Sequence, residues 1–215
     1  MIIGLLNQKG GVGKTTLSVS IAHNLSMKCA PEDILLVDAD PQQSALSWSA
    51  VRETELPFAV IGMAKNSLHR DLPAISQKYK HVIIDGPPRV TDLARSCIMA
   101  SDIVIIPCTP SPYDVWASEE TTRLVKEAIV YKVNLKYGFM INRKIANTAI
   151  GRDVVELLNK TEFNVLTSHV CQRVLFAEAA ASGLTVFDLE PEGKAAEEIN
   201  SLVKEILNLG RLKND

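Results

Sequence analysis

Eight consecutive residues near the start of the chain have the composition of a phosphate-binding loop. Residues 9–16 read Lys-Gly-Gly-Val-Gly-Lys-Thr-Thr and directly follow an apolar run at residues 2–6. Glycines let the backbone come close to phosphate oxygens, and the successive N–H groups of such a turn form a nest for an anion. We therefore expect the loop to bind nucleotide phosphates at the positive end of a helix that begins with Thr15 and Thr16.

The residue order assigns roles within this loop. In the pattern G-x-x-x-x-G-K-[ST], Lys14 reaches the β- and γ-phosphates and the Thr15 hydroxyl binds Mg²⁺. The loop departs from this pattern at Gln8, where a glycine is usual, and it carries an additional cation, Lys9, at its entrance. The predicted phosphate-binding residues are Gly10, Gly11, Val12, Gly13, Lys14, Thr15 and Thr16.

Carboxylates follow two other apolar runs. Asp38 and Asp40 come after residues 34–37, and Asp85 ends the run at 82–84 in Val-Ile-Ile-Asp-Gly-Pro-Pro. The Asp85 motif is typical of a carboxylate that holds Mg²⁺ directly or through water. Strand alternation sends Asp38 and Asp40 to the same side, where like charges need a cation or hydrogen bonds. The alternative for each acid is a carboxylate that caps a turn.

The elements that position these motifs are apolar runs alternating with helical patterns. The runs are continuous and rich in β-branched residues, which is typical of strands buried on both faces of a parallel sheet. The alternation predicts one domain, residues 1–215, with a doubly wound α/β fold, a mostly parallel sheet and helices on both faces. Ligands bind beyond the carboxyl ends of such strands, where the polar motifs lie. The predicted strands are residues 2–6, 34–37, 82–84, 103–106 and 137–141. The predicted helices are about residues 15–27, 68–79, 91–100, 117–130, 150–160 and 194–209. Residues 50–67 form the least regular stretch.

Composition is that of a soluble globular protein. Hydrophobic residues make up 47% and charged residues 22%, and the net charge of −2 means that any nucleic-acid contact must use a local basic patch. The four cysteines are scattered without a C-x-x-C pair, which favours a reducing cytoplasm over a disulfide or zinc framework. The first apolar run leads straight into the loop, so we expect no signal peptide, and no run approaches the roughly 18 residues of a membrane span.

These motifs together resemble those of the deviant-Walker-A P-loop ATPases, the family of the ParA and Soj partition proteins and MinD. The resemblance covers nearly the whole chain and extends to residues 109–112, 141–143 and 172–180. It is greatest for small plasmid-partition ParA proteins without an N-terminal helix-turn-helix domain. Because the first strand begins beside Met1, we expect that domain to be absent here too.

The resemblance implies a Mg²⁺-dependent ATPase that forms a sandwich dimer around ATP. Lys9 is implied to cross the dimer interface and to contact the phosphates bound by the other subunit, while Asp40 positions the attacking water. The implied catalytic residues are Lys9, Lys14 and Asp40; the implied Mg²⁺ residues, direct or through water, are Thr15, Asp38 and Asp85; and Asn142 and Arg143 are implied to recognise adenine.

The resemblance also implies partners. The ATP-bound homodimer would bind DNA without sequence preference and, with a ParB-like adaptor, drive segregation or positioning of plasmid or chromosomal DNA. We expect a cytoplasmic location, on the nucleoid in the ATP-bound state, without stable membrane association. The candidate DNA-binding residues are Arg173 and Lys194, followed by Arg143, Lys144 and Arg152.

Other functions fit parts of the pattern. A ParA relative can position a protein cargo, such as carboxysomes or chemoreceptor clusters. A MinD-like membrane-cycling ATPase would need a basic amphipathic C-terminal anchor, whereas we interpret the apolar stripe of the last helix as core packing. An iron–sulfur reductase like the nitrogenase iron protein would need bridging cysteines, of which Cys97 is the nearest candidate. A ligase similar to dethiobiotin synthetase usually lacks a lysine like Lys9, and a bacterial tyrosine kinase would carry a tyrosine-rich tail.

Overall fold

A computed structural model describes residues 1–89, 91–145, 154, 156–158 and 163–211. Within these residues a single sheet is built from β1 (Ile2–Leu5), β2 (Ile34–Asp38), β3 (Ala59–Gly62), β4 (His81–Asp85), β5 (Ile103–Cys108), β6 (Lys136–Lys144) and β7 (Val165–Cys171). The spatial order is β3–β2–β4–β1–β5–β6–β7, and every neighbouring pair is parallel. The predicted doubly wound α/β fold is confirmed, with a sheet that is wholly parallel in this part of the chain.

Helices connect the strands and cover both faces of the sheet. Those in the described ranges are α1 (Lys14–Lys28), α2 (Ser44–Ala50), α3 (Leu68–Ser76), α4 (Asp92–Ala100), α5 (Pro112–Ala117), α6 (Glu119–Ile129), α7 (Leu175–Ala181), α8 (Val186–Leu189) and α9 (Lys194–Arg211). Most of the helix predicted at residues 150–160 lies outside the described residues. None of the helices given above is long and apolar enough to cross a membrane.

Two apolar cores explain why the strand sequences read as continuous apolar runs. Ile83 belongs to the core that includes α1 and α9, whereas Val82 and Ile84 belong to the core that includes α4 and α6. Successive residues therefore face opposite cores, and both are buried. The apolar stripe of α9 lies in the first core, as predicted, with Ile199, Leu202, Val203 and Ile206 buried and Leu207 packed against them.

Sequence patterns did not reveal the two edge strands. β3 falls within residues 50–67, and none of its four residues is fully buried. In β7 only two of the seven residues are fully buried. An edge strand has a neighbour on one side and is less covered, so it lacks the continuous apolar run that marks the central strands.

The order of the sheet reverses at β1, which lies between β4 and β5. Because all the described strands are parallel, the segments that follow β1, β2, β4, β5 and β6 lie at the same edge of the sheet. That edge is where open parallel sheets bind ligands. The motifs predicted from sequence are therefore brought together by the topology rather than by proximity along the chain.

Candidate nucleotide-binding site

The loop between β1 and α1 needs glycine at two positions for conformational reasons. Gly11 and Gly13 have φ angles of 78° and 91°, in the left-handed region that other residues rarely adopt. A Cβ atom at Gly13 would also clash with the side-chain nitrogen of Asn142. The Gly13 carbonyl accepts a 3.0 Å hydrogen bond from the Leu17 amide, so the loop passes directly into the first turn of α1.

Asn142 packs against this loop from the end of β6. Its buried side chain donates a 2.7 Å hydrogen bond to the Val12 carbonyl, which fixes the loop from the side. The neighbouring Arg143 is exposed and has a φ angle of 55°. Asn142 thus lies at the predicted phosphate site as a brace for the backbone, and adenine recognition by Asn142 and Arg143 stays a prediction.

The entrance of the loop is fastened to the segment that follows β5. The side chain of Gln8 donates to the Ala117 carbonyl, and the Gln8 amide donates to the Thr121 hydroxyl at 3.2 Å. The Lys9 amide donates to the Asn7 side chain at 3.0 Å. A glycine at position 8 could not make the first of these contacts. The departure from the usual motif therefore couples the loop to α5 and α6.

Lys9 does not extend freely into solvent. Its ammonium pairs with the carboxylate of Asp114, although 43% of the Lys9 side chain remains exposed. Asp114 is buried in the first turn of α5, where the helix dipole favours negative charge, and it also accepts hydrogen bonds from the Thr109 amide and hydroxyl. The sequence pattern did not assign a role to Asp114; an acid two residues after Pro112 was the available signal.

Lys14 brings a positive charge into a buried position. The residue is 7% exposed, and its ammonium donates to the Lys9 carbonyl at 3.3 Å. Burial lowers the pKa of Lys14, while the negative charges of Asp85 and Asp40 act in the opposite direction. A phosphate oxygen beside Lys14 would offset the cost of burying this charge.

Asp85, at the end of β4, faces the start of α1. Its carboxylate accepts hydrogen bonds from the Thr15 hydroxyl at 2.6 Å and the Ser18 hydroxyl at 3.2 Å. Burial raises the pKa of Asp85 to about 7, and the Thr15 hydrogen bond only partly opposes this; the charge of Asp38 raises the pKa further. Hydroxyl and carboxylate oxygens suit Mg²⁺, whose charge would stabilise the ionised carboxylate, so these residues fit the predicted metal. Ser18, one helical turn after Thr15, was not predicted.

The two acids after β2 have different surroundings. The Asp38 carboxylate accepts hydrogen bonds from the amides of Asp40 at 3.1 Å and Leu46 at 2.9 Å, and burial raises its pKa. Asp38 therefore holds the turn before α2, which is the alternative role considered for it. Asp40 is only partly buried and accepts a 2.9 Å hydrogen bond from the Gln42 amide. Mg²⁺ support by Asp38 and positioning of water by Asp40 stay predictions.

The buried Asp85 carboxylate should destabilise the nucleotide-free protein at neutral pH. Its pKa is about 7 in the folded chain against an ordinary value of 3.8. As pH rises from about 4 to about 7, the unfolded chain releases this proton first, so stability falls across that window. We expect Asp85→Asn to raise the free energy of unfolding by about 2 to 4 kcal/mol at pH 8 and by little near pH 4. Urea denaturation without Mg²⁺ at both pH values measures this difference.

Glu32→Gln is the matched control, because it removes one carboxylate from an exposed position. Its free energy of unfolding should stay close to that of the unmodified chain at both pH values. An Asp85→Asn variant that is less stable than the unmodified chain at pH 8 would contradict the assigned electrostatics.

Basic residues predicted to bind DNA gather at the β6–β7 edge of the sheet. Lys144 ends β6 and is paired in register with Cys171 of β7. Arg173 follows two residues later, and its guanidinium pairs with Glu198 of α9 at 2.6 Å. Lys194 is exposed at the start of α9, one turn before Glu198. Arg152 lies outside the described residues.

Cys97 is poorly placed to bind an iron–sulfur cluster between subunits. The residue is fully buried on α4, and burial raises the pKa of its thiol to about 12. Cluster ligands bind as thiolates, which this environment strongly disfavours.

The first strand of the parallel sheet leads through a glycine-rich loop into a helix, and Lys14, Thr15 and Asp85 lie at that loop. This arrangement defines a P-loop nucleotide-binding protein. The chain belongs to the CobQ/CobB/MinD/ParA nucleotide binding domain family, whose sequence profile matches residues 3–186. The predicted relationship to ParA, Soj and MinD is thereby confirmed.

Individual relatives cover nearly the full chain. The maintenance of carboxysome distribution protein A of Halothiobacillus neapolitanus is 30% identical over 210 residues, which are 95% of this chain and 95% of that protein. The sporulation initiation inhibitor protein Soj of Bacillus subtilis is 26% identical, covering 95% of this chain and 97% of that protein. Cobyrinic acid a,c-diamide synthase of Mycobacterium smegmatis, solved with an ATP analogue and magnesium, superposes with a TM-score of 0.77 at 20% identity, covering 97% of this chain and 94% of that one. The ligands of that structure agree with the predicted cofactors, ATP and Mg²⁺.

Proposed function

We propose that this chain is a ParA-type Mg²⁺-dependent ATPase whose ATP-bound dimer binds DNA non-specifically and, with an adaptor protein, positions a cargo. The observation that carries the proposal is the second lysine of the loop. Lys14 already supplies a buried cation for the bound phosphates, whereas Lys9 lies at the loop entrance with 43% of its side chain exposed. A cation in that position can serve phosphates bound by a second copy of the chain.

The residues around the loop have different roles in ATP hydrolysis. Lys14 neutralises charge on the β- and γ-phosphates, and the backbone N–H groups of residues 10–16 hold their oxygens. Thr15 and Asp85 would hold Mg²⁺, and the metal would supply positive charge to offset the charge that develops on the phosphate oxygens. Asp40 is close enough to Lys14 to influence its pKa and is partly exposed, so it can orient a water molecule towards the γ-phosphate.

DNA binding by this chain would depend on a small basic surface. We define the DNA surface as Arg143, Lys144, Arg173 and Lys194. Arg173 is paired with Glu198, whereas Lys194 is exposed and forms no ion pair with another described residue. Lys194 is therefore the stronger contact. A dimer would double this surface, which explains how a chain with a net charge of −2 could bind DNA only in its ATP state.

DNA retention with ATP, ADP or no nucleotide, measured across salt concentrations, tests the proposal. The Asp40→Ala variant should bind ATP without hydrolysing it and give the largest retention. Affinity should fall at least about tenfold between 50 and 200 mM salt. Lys194→Glu should weaken retention by about fivefold or more, since each dimer loses two phosphate contacts.

Lys65→Glu is the control for Lys194→Glu, because Lys65 is an exposed lysine before α3 and lies outside the DNA surface. Equal losses for the two variants would indicate a general charge effect. Retention that is the same with ATP and ADP would overturn the proposed coupling between nucleotide and DNA.

The cargo could be of two kinds, DNA or a protein assembly. A DNA cargo moved with a ParB-like adaptor is supported by the resemblance of the sequence motifs to those of ParA partition proteins. The similarity to the carboxysome distribution protein, at 30% identity over 95% of both chains, favours a protein assembly as cargo. Deleting the gene distinguishes them: a DNA cargo predicts loss of a plasmid or misplaced chromosomes, and a protein cargo predicts clustered assemblies with unchanged DNA inheritance.

A further inference from the structure

The strongest contact outside the proposed chemistry is the pair formed by Lys9 and Asp114. The Asp114 carboxylate is fully buried and receives hydrogen bonds from the amide and hydroxyl of Thr109 as well as from the Lys9 ammonium. Within the part of the chain that the structure describes, Lys9 is the cation paired with this carboxylate. A buried carboxylate that loses its cation pays a substantial electrostatic cost.

The surroundings keep the two partners within reach of each other. Gln8 is bonded to Ala117 at the end of α5 and to Thr121 on α6, so the loop entrance and the helix that carries Asp114 form one connected unit. Lys9 could leave Asp114 by rotation of its side chain alone, since nearly half of that side chain is exposed.

We propose that Asp114 is a positioning and specificity-determining residue, which holds Lys9 within its own chain until the partner's ATP offers a stronger anion. This inference rests on the proposed ATP dimer. Lys9 then has two competing binding partners, the Asp114 carboxylate in the monomer and the phosphates across the interface in the dimer. The γ-phosphate adds the negative charge that lets the second partner win, so ADP leaves Lys9 on Asp114.

The competition predicts that weakening the Asp114 contact favours dimerisation. In Asp114→Asn the side chain keeps its shape and loses its charge, so Lys9 is released at lower cost. With a non-hydrolysable ATP analogue, the dimer dissociation constant measured by sedimentation should fall about tenfold, the typical contribution of one charged hydrogen bond. With ADP, the variant should form a dimer that the unmodified chain does not form at the same concentration.

Glu119→Gln is the matched control, because it removes one carboxylate from an exposed position just after α5. It should leave dimerisation unchanged with both nucleotides. A weaker or unaltered dimer in Asp114→Asn would overturn the proposal, since it would mean that Asp114 supports Lys9 in the dimer or does not influence it.

A second measurement examines the monomer directly. An amine-acylating reagent, followed by mass spectrometry on the nucleotide-free chain, reports how freely each lysine reacts. Lys9 should react about threefold more slowly than the exposed Lys65, because its nitrogen is held by the Asp114 carboxylate and must leave that contact before it can attack the reagent. The rates should become equal in Asp114→Asn, and the charge-retaining Asp114→Glu should keep Lys9 slow.

The two measurements separate the failure of this inference from the failure of the proposed function. A chain that forms no dimer with ATP or its analogue defeats the proposed function. Equal reactivity of Lys9 and Lys65 in the unmodified, nucleotide-free chain defeats the role of Asp114. The second result needs no variant, so it decides the question even if Asp114→Asn does not fold.

Discussion

Replacing Lys14 by alanine is expected to lower the affinity for Mg²⁺·ATP by about a hundredfold or more. Lys14 is the buried cation of the phosphate loop, and although burial lowers its pKa, the negative charges of Asp85 and Asp40 are close enough to its ammonium to act in the opposite direction. Without it, bound phosphates would face those carboxylates with only backbone N–H groups and Mg²⁺ to offset their charge. Titration calorimetry with the non-hydrolysable ATP analogue and Mg²⁺ measures the loss.

The loss should not arise from unfolding. Burial lowers the pKa of Lys14, which means that the charged ammonium is less favourable in the folded chain than in the unfolded one. Removing that charge stabilises the folded chain, and this offsets part of the stability that is lost with the packing of the side chain. The nucleotide-free variant should therefore melt at nearly the same temperature as the unmodified chain. Lys65→Ala, at an exposed site, is the control for affinity. Retained ATP affinity in Lys14→Ala would defeat the assignment of the phosphate loop.

The central part of the fold could be predicted because strands that are buried on both faces have continuous apolar sequences. Each of the five predicted apolar runs lies in a strand of the sheet interior, where successive side chains enter opposite cores. β3 and β7 lie at the two edges and escaped prediction. Their side chains are only partly covered, so local composition carries little information about them.

The candidate site likewise contains residues that the sequence could place and one, Asp114, that it could not. Local spacing was sufficient to predict that Lys14, Thr15 and the loop glycines lie together, and a position at the end of a strand was sufficient to place Asp85 beside them. Their roles in phosphate and Mg²⁺ binding stay predictions. Asp114 contacts Lys9 across 105 residues. That contact depends on the pairing of β1 with β5 and on the turn into α5, neither of which a residue pattern specifies.

Arg173 illustrates how tertiary structure changes the meaning of a charge. From the sequence, Arg173 is a predicted DNA contact because it is a basic residue in a segment that resembles ParA proteins. In the structure its guanidinium is paired with Glu198, which lies 25 residues further along and also accepts a hydrogen bond from the Cys171 amide. The carboxylate neutralises part of the charge that Arg173 could present to phosphate. Lys194 carries no such partner within the described residues and was not distinguishable from Arg173 by sequence.

Replacing Lys9 by alanine is expected to separate nucleotide binding from dimerisation. Lys14 and the loop backbone remain, so ATP affinity should change by no more than about threefold. In the proposed dimer Lys9 contacts the partner's phosphates, so without it the dimer dissociation constant with the ATP analogue should rise at least about fiftyfold, and ATP turnover should fall with it. Sedimentation and nucleotide titration on the same variant measure both quantities.

This substitution also leaves the buried Asp114 carboxylate without its cation, which could weaken the dimer through the fold of α5 rather than through the interface. The double variant Lys9→Ala/Asp114→Asn removes both charges and so isolates the contact across the interface. Its stability should return towards that of the unmodified chain while dimerisation stays lost. Recovery of the dimer in the double variant would assign the defect to the unpaired carboxylate and would contradict a role for Lys9 at the partner's phosphates. If both variants keep ATP binding by the single chain while dimerisation stays lost, the two lysines of the loop act on different subunits.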